Sequence, residues 1–216
     1  MQTFGWGHFQ YLLNGLMWTM ILSALAMGLG SIAGFAVMLG RISRKRWMRR
    51  LSGAWVQTIQ GTPLLILMFI IYFGLGVIGL SVPALAAAAV ATMIYASAYL
   101  GEIWRGCVQS IAKTQFEAAE AMGMTRWQAL VDVILPQAAR IATPPTVGFT
   151  VQLIKNTSLA SVVGFLELTR SAQVINNSLF EPFLVFGIAA LLYFSVCYPL
   201  SLWSRMLERK LNVGRR

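Results

Sequence analysis

The sequence predicts an all-α polytopic membrane protein with five transmembrane helices. Three observations carry that prediction. Of the 216 residues, 57% are hydrophobic and only 11% are charged, whereas about a quarter are charged in soluble domains; the mean hydropathy is +0.68. Apart from His8, no charged residue precedes Arg41, and none lies between Arg50 and Glu102. The basic residues gather at the ends of these apolar runs instead of being spread along the chain.

Each crossing follows from a run longer than the roughly 20 residues that span hydrocarbon as a helix. The first is expected at about 12–40; it lacks the basic flank of a cleaved signal and is long enough to stay in the bilayer. The second charge-free stretch holds two crossings, 54–80 and 84–104, because Gly74, Gly76, Gly79, Ser81 and Pro83 supply turn residues between them. Pro63 falls early in the second crossing. Proline removes a backbone donor, so Gly61, Thr62 and Pro63 are read as a structural kink, with substrate contact as the alternative. The fourth and fifth crossings are expected at 141–165 and 183–204, within a single transmembrane domain covering 1–216.

Orientation follows from the basic residues. Fifteen of the 17 Lys and Arg fall in the first connection, the third connection or the C-terminal tail. Those segments share one side of the membrane, which makes that side cytoplasmic, with the N-terminus outside and the C-terminus inside. The net charge of +10 is accounted for by topology and anionic lipid, and implies no nucleic acid partner. Cys107 and Cys197 have no metal-ligand spacing and are assigned to packing.

The cytoplasmic segment 105–140 breaks the apolar pattern. It carries Arg105, Lys113, Glu117, Glu120, Arg126, Asp132 and Arg140, too many charges for hydrocarbon. Its apolar residues, among them Ala118, Ala119, Met122, Trp127, Leu130 and Ile134, nevertheless recur at three- and four-residue steps that gather them on one helical face. Gly123 interrupts the run where a positive φ permits a sharp turn. Thr125 is placed to cap a second helix, whose run Arg126 to Leu135 leads to Pro136.

Glu117-Ala118-Ala119, then Gly123, then Val133-Ile134-Leu135-Pro136 resembles the EAA signature of the membrane subunits of bacterial ABC importers of type I. The one departure within it is Val133, where the family usually has Ile. Four further stretches resemble the branch that carries polar amino acids: Gly61-Thr62-Pro63-Leu64-Leu65; Tyr99 with Glu102-Ile103 and Arg105-Gly106; Lys155-Asn156-Thr157-Ser158-Leu159; and Glu167-Leu168-Thr169-Arg170. Gln60 stands where that branch usually has Arg.

The resemblance implies a permease subunit in the bacterial inner membrane, working with a second permease chain, the same or similar. It implies a dimer of separate ABC ATPase subunits that bind ATP and Mg, an external solute-binding protein, and a polar amino-acid substrate. No cofactor is expected on this chain. Glu117, Ala118, Ala119, Gly123, Leu135 and Pro136 would form the coupling element, with Glu117 meeting a basic ATPase residue and Gly123 setting the turn.

Lys155, Asn156, Thr157 and Ser158 put four polar residues in a row inside an apolar span, and a cation near the centre costs at least ~2.5 kcal/mol. Pro144 and Pro145 precede them, so the helix is expected to bend or open locally. Two readings stand for Lys155: a site or gate on the translocation path, or a buried contact with a carbonyl or carboxylate. Glu102 is placed with the path group, or simply paired with Arg105 three residues on. The outer segment 166–182 is read as a long polar loop, a candidate contact for the delivering protein or merely solvated. A membrane-embedded enzyme would need a nucleophile with a base or a metal cluster, and the chain has one His. A passive channel would not require the Gly-hinged cytoplasmic segment.

Overall fold

The computed structural model describes residues 3–213, which are almost wholly helical with no strand among them. The elements are α1 (Trp6–Ile42), α2 (Arg46–Gln60), α3 (Leu64–Val77), α4 (Ala84–Gln109), α5 (Lys113–Ala121), α6 (Arg126–Val163), α7 (Leu168–Leu179) and α8 (Pro182–Val213). Helices α1, α4 and α8 are each long and apolar enough to cross a membrane. Two bent pairs, α2 with α3 and α6 with α7, qualify only when each pair is taken together. At 1.5 Å per residue the 37 residues of α1 extend about 55 Å, well beyond the roughly 30 Å of hydrocarbon.

The central contact is between α1 and α4, made close by small residues. A Cβ on Gly101 of α4 would lie 2.7 Å from Val37 Cγ1 and 3.0 Å from the Gly34 carbonyl oxygen of α1. In lipid, where the solvent is as apolar as leucine, such backbone approach is a main source of helix association. Above this contact Leu22, Ala26, Met68, Tyr95, Leu153 and Phe149 form the largest buried cluster, drawing α1, α3, α4 and α6 together. Leu12, Leu168, Ala172, Ile175 and Val185 pack α7 between α1 and α8. Met38, Val108, Leu130 and Ile134 close the end at which α5 meets α6.

Three expectations are corrected. The stretch 54–80 is two helices, not one kinked element: the chain turns by 99° at Gly61, Thr62 and Pro63, and residues 54–60 continue the amphipathic helix that starts at Arg46. Pro63 fixes an extended backbone (φ −58°, ψ 136°) just before α3, which removes one helical donor and prevents smooth continuation. Second, Pro136 ends nothing. A widened, π-type turn over Ala129–Ile134 opens the backbone just ahead of the ring, which would otherwise clash with the carbonyl four residues back, so α6 runs on through Pro136, Pro144 and Pro145. Third, segment 166–182 is not a loop but mostly α7, whose Leu168, Ala172, Ile175 and Leu179 all face inward.

Nor does the helix open at Lys155. It tightens into a 3-10 stretch, Thr157–Val163, and stops at Gly164 with φ 85°. The Thr157, Ser158 and Ser161 hydroxyls donate to carbonyls three residues back at 2.7, 2.7 and 2.6 Å.

Candidate functional site

Two places on the chain bring the expected site residues together, and one helix joins them. The first is the end at which α5 meets the start of α6. Helix α5 packs Phe116 and Ala119 against the start of α6 and leaves Glu117, Ala118 and Glu120 exposed. Glu120 faces Arg44 at 3.9 Å, a loose surface pair. Gly123 has φ 77° and nothing within 4 Å of where its Cβ would be, so conformation and not crowding accounts for glycine there. The Thr125 hydroxyl accepts from the Gln128 amide at 3.3 Å and starts α6. Around the turn Met122 and Trp127 are 72% and 61% exposed, an apolar fringe on a polar surface. Of the other signature residues, Pro136 is exposed, whereas Leu135 packs inward against Met38 and its neighbours.

The second place is a cavity of about 350 Å³ at the break between α2 and α3. Residues 60–64 form one wall, Tyr95 and Tyr99 of α4 another, and Asn156 and Leu159 of α6 a third. The aromatic wall is layered: Tyr95 and Tyr99 lie 4.3 Å apart between ring centroids, and Tyr99 stacks on Phe149 at 5.6 Å and 15°. Thr62 Oγ1 donates to the Thr58 carbonyl at 2.8 Å, closing the end of α2. The break leaves the first amides of α3 without intrahelical acceptors, as at any helix start. Gly61, Thr62 and Pro63, read from sequence as structural, thus share a cavity with Asn156.

The remaining polar residues of that region separate. Thr157 is fully buried, Ser158 is half-buried and Lys155 is exposed on the surface of the chain. Glu102 forms an ion cluster instead of standing alone: Arg41 Nε donates to its Oε2 at 3.3 Å, and Arg105 donates to its Oε1. This ties the C-terminal end of α1 to α4. Arg41 was not foreseen as a partner, because 61 residues separate it from Glu102.

A further unforeseen group is Glu167, fully buried at the start of α7. Its carboxylate accepts from the backbone amides of Thr169 and Arg170 and from the Tyr193 hydroxyl, each at 2.8 Å. The Leu168 amide donates to Thr19 Oγ1 at 3.2 Å, so α1, α7 and α8 meet at this point. The signal in the sequence was Glu immediately before an amphipathic run.

Together these features define an all-helical, membrane-embedded subunit with a short, largely exposed helix at one end and a polar cavity at a broken helix. The chain belongs to the family of binding-protein-dependent transport system inner membrane components, whose model matches residues 26–213. It is similar to a probable amino-acid ABC transporter permease protein, YckA, of Bacillus subtilis, at 33% identity over 94% of this chain and 89% of that one. It is also similar to the L-cystine transport system permease protein TcyB of the same organism, at 37% identity over 92% and 86%. A crystal structure of an amino acid ABC transporter matches with a TM-score of 0.89 at 31% identity, covering 97% of this chain and 100% of that one. The MetNI methionine transporter, at 20% identity and a TM-score of 0.80, shares the fold. The chain is therefore a multi-pass permease subunit of an ABC importer and not itself an enzyme, and membership implies an ATPase and a solute-binding protein as partners.

Proposed function

We propose that this subunit takes up polar amino acids across a bacterial inner membrane, with the cavity at the α2–α3 break on the translocation path. The observation that carries this is the continuity of α6. Arg126 at the docking face and Asn156 in the cavity belong to one helix, about 45 Å apart along its axis. A displacement imposed on its cytoplasmic end is felt at the cavity, because Trp104 of α4 bonds Thr146 of α6 at 2.9 Å and Ser204 of α8 bonds the Pro144 carbonyl at 2.8 Å.

In this reading each bent helix pair counts as one crossing, giving five, with the N-terminus outside and the C-terminus cytoplasmic. Two chains, identical or similar, enclose the path. Closure of a separate ATPase dimer on ATP and Mg²⁺ moves α5 and the start of α6. Glu117 supplies a charge-assisted contact to a basic ATPase residue, Ala118 permits close approach, and Gly123 holds the angle. Lys155, exposed on the single chain, faces the second permease chain or the path between them, since an ammonium left in lipid would be costly. The amino-acid class is supported by the relatives named for amino-acid, glutamine and cystine transport.

The test is purification of the tagged chain from its native membranes in mild detergent. A co-purifying ATPase that is lost on Glu117→Lys supports the docking assignment. Retention of the ATPase by that variant refutes it.

A further inference from the structure

We propose that α2 holds an anionic phospholipid of the surrounding bilayer, with the headgroup phosphate on Arg46 and Arg50 and an acyl chain along Trp47, Leu51 and Trp55. The inference requires only that the chain is embedded in a membrane, and does not rest on the assignment of the translocation path.

Three faces divide this helix. Gly53, Val56 and Ile59 are buried, on the side where α2 packs against α1 and α4. Trp47, Leu51 and Trp55 recur at steps of four and so stack along a second face. That face is left open: the three are 63%, 66% and 40% exposed. Arg46 and Arg50, also four apart, form an exposed edge beside it. An apolar stripe with tryptophan in it and arginine along its edge is the pattern of a helix seated in a bilayer surface, where the rings sit at headgroup level and the arginines stay with the phosphates.

Depth follows from what α2 touches. Gly53 passes the ion cluster of Arg41 and Glu102, since a Cβ there would lie 2.8 Å from Arg41 Nη1. Beyond it, Trp55 Nε1 donates to Ser97 Oγ at 3.2 Å, and Ser97 lies about 18 Å from the end of α4 at Gln109. The charge is all on the other side of Gly53: Lys45, Arg46, Arg49 and Arg50 precede it, and no charged residue follows until Glu102. Helix α2 thus enters the bilayer obliquely, with its arginines at the headgroups and Trp55 among the acyl chains.

Charge decides which lipid. From Arg41 to Gln60 there are six basic residues and no acidic one. Ion pairs among the described residues engage Arg41, Arg44 and Arg105, and leave Arg46 and Arg50 without a carboxylate. A phosphate matches the guanidinium fork, and each basic residue near an anionic surface adds to the attraction. A second copy of the chain fits this face poorly, because it would have to bring carboxylates to the arginines. Of the seven acidic residues, Glu102 and Glu120 are already paired and Glu167 is buried; the other four are dispersed over α5, α6 and the two ends of α8. Trp55 lies too deep for a soluble partner.

The experiment is titration of the delipidated permease–ATPase complex in detergent with phosphatidylglycerol or phosphatidylcholine of matched acyl chains, read by native mass spectrometry. Wild type is expected to bind the first phosphatidylglycerol about tenfold more tightly than phosphatidylcholine. Arg46→Gln with Arg50→Gln should abolish that preference. Arg209→Gln with Lys210→Gln, which removes the same charge from the end of α8, should keep it. Trp47→Ala with Leu51→Ala should weaken both lipids about tenfold and leave their ratio unchanged. This last variant retains every charge, so it decides the matter even where the glutamine pair fails to insert, and unaltered binding of both lipids by it overturns the inference. Equal affinity of wild type for the two lipids also overturns it, as does a ratio untouched by the glutamine pair or lowered as much by the change in the tail. Loss of the ATPase on Trp47→Ala with Leu51→Ala, with lipid binding intact, would reassign the stripe to the ATPase.

Discussion

Replacing Gly123 separates a conformational requirement from a contact requirement at the turn proposed to dock the ATPase. Its φ of 77° lies where an L-residue costs about 1–2 kcal/mol, and no atom lies within 4 Å of a built Cβ. The whole cost of a side chain therefore falls on the backbone. Valine, β-branched, bears all of it, whereas asparagine is among the side chains that tolerate this region best. Valine can escape the strain only by moving to negative φ, which swings α5 away from the start of α6. A shift of 1–2 kcal/mol reduces the population of the native turn by about 5- to 30-fold. In proteoliposomes containing the ATPase and the solute-binding protein, Gly123→Val should lower substrate-stimulated ATP hydrolysis and uptake at least fivefold. Its membrane insertion and melting temperature should barely change, because α5 buries little. Gly123→Asn should keep most of both activities. Normal uptake by the valine variant would refute the reasoning, and so would an asparagine variant as impaired as valine, since that would place the requirement in contact with the partner and not in φ.

Three further outcomes are expected. Glu102→Gln leaves Arg41 and Arg105 without their shared anion, and should destabilise the detergent-solubilised chain by about 2 kcal/mol, the scale of a lost hydrogen bond to a charged group; thermal melts check this, and a double change with Arg41→Met should cost less than the sum of the two single changes. Gly101→Ala puts a methyl 2.7 Å from Val37 Cγ1, and overpacking of this kind costs about 1–3 kcal/mol; an unchanged melting temperature would mean that α1 and α4 can separate freely. Glu167→Leu leaves the Thr169 and Arg170 amides and the Tyr193 hydroxyl without their shared buried acceptor, and should lower the stability of the solubilised chain by about 1–3 kcal/mol; an unchanged thermal melt would contradict this.

Much of this was legible in the sequence for identifiable reasons. Charge-free runs and clustered arginines are properties of single segments, so the helical membrane fold, the turn at Gly123 and the Thr125 cap could all be read locally. Glu102 with Arg105 was readable at a spacing of three. Arg41 was not, because its place beside Glu102 depends on how α1 packs on α4 through Gly34 and Gly101. The shared cavity of Gln60, Tyr99 and Asn156 likewise arises only once three helices are assembled. Helix α7 was missed for a different reason. Its Arg170, Gln173, Asn176 and Asn177 suggested solvent, while the inward spacing of Leu168, Ala172, Ile175 and Leu179 was there to be counted.

The misreading of Pro136 bears most on mechanism. Proline within an amphipathic run ordinarily marks an end, and an end there would have made the docking element a separate short helix linked to the membrane by a flexible joint. The π-type turn over Ala129–Ile134 accommodates the ring instead, and keeps the backbone helical from Arg126 onward. In the proposed coupling, a hinge before α6 and none within it is the arrangement a lever needs, with Gly123 at φ 77° as the pivot. Leu130 and Ile134 anchor the near end against Met38 and Val108. The far end stops at Gly164, where the chain turns into α7 under the cap of buried Glu167. Deleting one residue of the widened turn, Val131 for example, would shift the register of every later side chain by about 100° relative to the docking face. Uptake should then be lost while the ATPase still binds, and a deletion that left uptake intact would show that α6 does not transmit motion as a rigid body.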